Sequence, residues 1–369
     1  MTKKNSITTT QLCVILLGVL IAMRPILENA LQAKFVENDC IITCIVAGAI
    51  NLCLAILVCF AIKLNPGKSF FEIMSNFFGK VTTKIIMLLL CVVFVFKMLL
   101  IDYQINFLLY DAIYTDIDWY LFSIPVFIVM CYISIKGIRA IARVYSIFLP
   151  LALFVFVLTL FIAYFNATFD NILPLFSHSN GEFNKALCYL LIQSCEYIFL
   201  FTFMENVVIT GKKYFSKIIP VLLAVFVLVV AFYVLFVAVL GKLAPYVQET
   251  LIKITQFKDN SFGYFKIDIF TTFFWIPLII LQNSFCLYGI SYCLNKVFSI
   301  KKSISSVVVV CLLFATKFIP QINNQAIIDL FYKKIGVFVV GFVLLLPVLL
   351  LIASLKKERQ NENWLYKKT

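Results

Sequence analysis

The chain has 369 residues, is 63% hydrophobic and 13% charged, and has a mean hydropathy of +1.03, more apolar than a soluble fold of this length sustains. Its formal charge of +13 does not point to nucleic acid, because the lysines and arginines gather between apolar runs rather than along one stripe. The 12 cysteines are scattered through those runs with no C-x-x-C, and the single histidine, His178, has no cysteine close by, so neither a disulfide framework nor a metal site is expected, and no cofactor.

Apolar runs long enough to cross about 30 Å of hydrocarbon recur along the whole chain, and strict alternation is absent, so the spans are helices. One polytopic membrane domain over residues 1–369 is expected, with ten spans at about 10–27, 40–62, 84–109, 119–135, 144–165, 186–209, 218–240, 265–292, 303–319 and 335–355. The polar start "MTKKNSITTT" and the absence of a small-residue cleavage site predict that the first helix is retained. With the N-terminus inside, 20 of the 31 basic residues fall in cytoplasmic segments, which puts both termini in the cytoplasm.

In the first span, "LIAMRPIL" sets Arg24 beside Pro25. Proline removes a backbone donor and clashes with the carbonyl four residues earlier, so a break or kink is predicted around Ala22 to Arg24. After the second span, "NPGKSFFEIMSNFFGK" places Phe70, Phe71, Met74, Phe77 and Phe78 at helical spacing, an interfacial amphipathic helix. The third span carries Lys97 and Asp102, five apart and so about 140° around the helix, which keeps them from pairing directly. "KGIRAIARVY", with Arg139 and Arg143 four apart, reads as a second interfacial helix before the fifth span.

The sixth span is interrupted by "LIQSCEYIF", with Gln193, Ser194 and Glu196 inside an apolar run. Glu205, near its cytoplasmic end, reads as a local partner of Lys212 or Lys213. The segment after the seventh span is too long for a simple turn, and Val247, Leu251 and Ile254 give it an amphipathic pattern suited to an external cap. Asp268 opens the eighth span and Lys317 closes the ninth, both at interfacial positions.

Ten helices divide into five plus five, and a repeated unit with an odd number of spans is necessarily inverted, which places a substrate site at the midplane near broken helices 1 and 6. Arg24, Asp102, Asp268 and Lys317 fall in the outer half and Glu196 near the middle, a polar funnel open to the outside. Each such charge costs about 2.5 to 3.5 kcal/mol at the centre of a span and needs a partner or water. Lys97 has two readings, a structural partner of Glu196 or a functional charge.

Several blocks together resemble the spore germination permease family, the B subunits of nutrient germinant receptors, within the amino acid, polyamine and organocation transporter superfamily. They are "NPGKSFFEIMSNFFGK", "KGIRAIARVYSIFLP", "NILPLF" at Asn171, and "FKID" at Phe265 followed by Trp275. The resemblance puts Glu196 on the family's acidic position in the sixth helix, and Lys266 and Asp268 on the basic and acidic positions opening the eighth. It departs where the family carries a glycine-rich triplet in the first helix, here Ala22, Met23 and Arg24, and a glycine before the glutamate, here Cys195.

The resemblance implies recognition of a small, amino-acid-like nutrient in the spore inner membrane, with an A subunit and a lipoprotein C subunit as partners. The alternative is a secondary amino acid transporter coupled to ions. No enzyme is expected, since no embedded histidine, metal cluster or nucleophile elbow is present. The candidate ligand-binding residues are Ala22, Met23, Arg24, Pro25, Gln193, Ser194, Cys195 and Glu196. Lys97, Asp102, Lys266 and Asp268 are candidates for ion pairs or coupling. With the backbone glycines gone, Arg24 is the expected carboxylate ligand, through a two-pronged contact.

Overall fold

A computed structural model describes residues 6–22, 29–106, 119–209, 214–247, 250–256, 267–316 and 336–366. Among them, seven helices are long and apolar enough to cross a membrane, and three shorter apolar helices, Thr9–Ala22, Ser123–Lys136 and Lys302–Thr316, lie at the remaining predicted positions. The chain is a multi-pass, nearly all-helical membrane protein.

The helices in chain order are α1 (Thr9–Ala22), α2 (Asn29–Val36), α3 (Cys40–Leu64), α4 (Phe70–Phe78), α5 (Lys80–Asn106), α6 (Trp119–Lys136), α7 (Ile138–Asn166), α8 (Asn180–Gln193), α9 (Phe199–Phe203), α10 (Tyr214–Leu240), α11 (Thr250–Gln256), α12 (Ile267–Phe298), α13 (Lys302–Thr316) and α14 (Gly336–Tyr366). The extended backbone consists of β1 (Ile7–Thr8) and β2 (Val207–Val208), which pair in parallel and tie the start of α1 to the end of the α9 segment.

The lipid-facing surface is legible on α7. Ile147, Leu151, Phe154, Leu158, Phe161 and Phe165 recur every three or four residues and are all exposed, whereas Tyr145, Leu149, Ala152, Phe156, Thr159 and Ala163 on the other face are buried. An exposed stripe of large apolar side chains over this length fits hydrocarbon and not water.

Two elements differ from the expectation. Arg139 and Arg143 do not form a separate interfacial helix but belong to the first turns of α7, which starts straight after Gly137, whose φ of 86° suits glycine. Helix α2, "NALQAKFV", was not predicted, because its mixture of polar and small residues gives no apolar run. By contrast α4 forms where the aromatic spacing placed it, opened by a reciprocal cap between Ser69 and Glu72.

The inverted repeat shows in the packing. If spans one to five are exchanged with six to ten, the packing around the first two spans of each half maps onto itself: α1 with α10 becomes α8 with α3, α1 with α7 becomes α8 with α14, and α3 with α14 becomes α10 with α7, whereas the packing of α12 on α6, α7 and α13 has no counterpart of similar extent on α5 among the described residues. The pairs α5 with α12 and α3 with α10 map onto themselves. Even the connecting helices obey the exchange, since α4 packs on α5 and α14 while α11 packs on α12 and α7. The bundle is a five-plus-five repeat with spans one and six as equivalent members.

On the face opposite the β1–β2 bridge, loops lock the two halves together. The buried Asp39 carboxylate accepts hydrogen bonds from the amides of Phe176, Ser177 and His178 and lies 3.2 Å from His178 Nδ1. Asn38 donates to the Asn171 carbonyl at 3.0 Å, and Asn171 in turn donates to the Ala238 carbonyl at the end of α10 at 3.0 Å.

Candidate functional site

The sixth span is broken where its polar residues fall. α8 ends at Gln193, Ser194 and Cys195 leave the helix, and the chain resumes as a 3-10 turn, Glu196–Ile198, running into α9. A helix of 14 residues is about 21 Å long, too short to cross the bilayer alone, so α8 is a half-helix.

Side chains make this break, not glycine. Ser194 Oγ donates to the Leu190 carbonyl at 2.6 Å, Cys195 Sγ to the Ile192 carbonyl at 3.2 Å, and Lys97 Nζ to the Gln193 carbonyl at 2.7 Å. The Ile192 and Gln193 carbonyls, which a continuing helix would pair with later amides, are thus met by side chains, while the Leu190 carbonyl also keeps the Ser194 amide at 2.9 Å. Cys195 has φ −82° and ψ 37°, on the side of the map open to L-residues, so the turn does not need a glycine. Asn51 of α3 fixes Ser194 from outside the span, donating to its Oγ at 2.7 Å.

Lys97 and Glu196 form a buried ion pair at 2.8 Å, with the two residues only 6% and 2% exposed. The ammonium also lies 5.9 Å from the centre of the Phe199 ring. Lys97 therefore joins α5 to both sides of the break: the negative end of the α8 dipole and the first acidic residue after it.

The first span meets this region from the other side. α1 contacts the Glu196–Ile198 turn, and its last described carbonyl, that of Ala22, accepts a hydrogen bond from Trp275 Nε1 at 2.6 Å. Gly18 lets the helix approach α7: a Cβ there would overlap the ring of Tyr145, which is 6.0 Å from that of Phe285. Met23, Arg24 and Pro25 lie outside the described residues, between α1 and α2, as does Lys266. Asp268 sits in the first turn of α12, and Asp102 is half-buried on α5. Glu205 pairs with Lys296 of α12 at 3.3 Å; Lys212 and Lys213, its expected partners, lie outside the described residues.

A further set of polar residues was not singled out from the sequence. Gln282 and Asn283 on α12 are fully buried, and none of their side-chain polar atoms has a hydrogen-bond partner among the described residues; the same holds for the Asn29 amide at the start of α2. Trp275, Gln282 and Gly289 lie seven apart and so share one face of α12. Trp275 reaches the end of α1, and Gly289 lies against Phe94, which stacks on Phe199 just beyond the break. Gln282 lies on that face between Trp275, which meets the end of α1, and Gly289, which meets Phe94. The signal was available, since "LQNSF" interrupts an apolar run as "LIQSCE" does.

Among the described residues no group of three or more His, Cys, Asp or Glu side chains is placed to hold a metal ion. The site offers one ion pair, unsatisfied carboxamides and aromatic walls.

The sequence profile of the spore germination protein family, Spore_permease, matches residues 6–326. The chain belongs to the spore germination protein family. Among solved structures, this family member shares its fold with Mhp1, a nucleobase-cation-symport-1 family transporter in a closed conformation with bromovinylhydantoin bound. The TM-score is 0.55 at 15% identity, covering 99% of this chain and 94% of that one. Comparison with curated proteins returns no match.

Proposed function

We propose that this spore germination protein recognises a small nutrient from outside the spore inner membrane, as the B subunit of a germinant receptor, and passes the signal to an A subunit and a lipoprotein C subunit. Both termini face the cytoplasm in this reading. The observation that carries it is the break at Ser194 and Cys195, flanked by the buried Gln193 and Glu196 and contacted by α1, together with the buried, unsatisfied Gln282 amide on the α12 face that also carries Trp275. Burying the Gln282 amide without a partner costs about 1 to 3 kcal/mol, so a polar ligand that pairs with it is favoured there.

The segment that includes Met23, Arg24 and Pro25 completes the site from the first span, with Arg24 as the group for a ligand carboxylate. Binding signals only if it favours one conformation of the bundle over another. The transporter fold supports a second reading, in which an amino acid is moved across the membrane with coupled ions. Germination and radiolabelled uptake, measured in parallel on spores for each nutrient that triggers the response, test the two: response without accumulation supports the receptor, and accumulation against a gradient supports the transporter.

A further inference from the structure

Transporters with broken helices hold a coupling sodium ion at unwound carbonyls and at the C-terminal ends of half-helices. Such an end is present here. It consists of the Gln193 carbonyl closing α8, carrying about half a negative charge from the helix dipole, and the Glu196 carboxylate three residues on. Both acceptors converge on one point, and Lys97 Nζ occupies it, at 2.7 Å from the first and 2.8 Å from the second.

The charge and the directions both match. An ammonium has three donors. Two are taken by these oxygens, and the Phe199 ring face lies 5.9 Å away to receive the positive charge on another side. The lysine reaches this point from α5, outside the broken span, and is itself 6% exposed.

We infer that Lys97 is a tethered cation occupying a latent monovalent metal site, so that this protein assembles its ligand site without a bound sodium ion. The inference rests on the geometry of the sixth-span break and not on which nutrient is recognised. Replacing the lysine leaves a carbonyl and a carboxylate converging on the space its side chain vacates, which sodium enters with water completing its shell.

The test uses the purified full chain and sodium itself as probe, so the result does not depend on a nutrient. Thermal unfolding is followed for wild type and Lys97→Ala in sodium chloride and in choline chloride at equal ionic strength. Wild type is expected to melt at the same temperature in both salts. Lys97→Ala, prepared in sodium throughout, is expected to accumulate and to show a saturable rise of about 2 °C or more in sodium alone. A sodium-specific shift in wild type overturns the inference. So does a Lys97→Ala protein that responds equally to both salts, as a merely structural pair would, or one that fails to accumulate even in sodium.

Discussion

Lys97 and Glu196 come together across 99 residues of sequence at 2.8 Å, and the same ammonium caps the half-helix that ends at Gln193. The pair links the third span to the break in the sixth. Removing one member strands the other in a low-dielectric interior, at about 3 to 5 kcal/mol, whereas replacing both with apolar residues of similar volume is close to neutral. Lys97→Met and Glu196→Leu should each lower the abundance and melting temperature of the protein, and the Lys97→Met/Glu196→Leu double variant should recover most of the loss. A double variant no better than the worse single one would show that the two side chains act separately.

Gly18 faces the Tyr145 ring at a distance that leaves no room for a methyl group. Gly18→Ala should destabilise the protein by about 1 to 3 kcal/mol through overpacking. Tyr145→Leu in the same chain should restore part of it, as read from melting temperatures of the single and double variants.

Trp275 pins the end of α1 by donating to the Ala22 carbonyl. Trp275→Phe keeps the aromatic packing on Phe156 and loses that bond, at a cost of about 1 kcal/mol. Because the bond holds the edge of the proposed site, the nutrient concentration for half-maximal germination should rise while abundance falls little.

Arg24 separates two cases. If it binds a ligand carboxylate, Arg24→Lys keeps the charge but loses the two-pronged geometry, raising the nutrient requirement at unchanged abundance. If its partner is a resident carboxylate, Arg24→Ala should lower abundance by stranding that group, at about 3 to 5 kcal/mol. Abundance and dose response measured on both variants distinguish the two.

The parts legible in the sequence were those that hydrocarbon imposes directly. The apolar runs located the seven long helices and the three shorter ones among the described residues, and "QSCE" located the break in the sixth, since polar residues inside a membrane helix must serve something. The short α2 left no trace because "NALQAKFV" is neither a long apolar run nor a turn signal. The first turns of α7 were misjudged because Arg139 and Arg143 suggested an interface, although a helix can begin in water and continue into lipid. The contacts that complete the site join residues far apart in the chain: 96 residues between Lys97 and Gln193, 143 between Asn51 and Ser194, 253 between Ala22 and Trp275. Helical periodicity within one span carries no information about which other span packs against it.

The measurement that tests the account most directly is the nutrient dose response of spores carrying Gln193→Ala or Gln282→Leu, with the abundance of each protein followed in parallel. The proposed site puts both side chains at the ligand and outside the Lys97–Glu196 ion pair, so both variants should accumulate normally and require a nutrient concentration about tenfold higher or more, the effect of losing about 1.4 kcal/mol of binding. Wild-type dose responses in both variants, at wild-type abundance, would contradict a ligand site at the break in the sixth span.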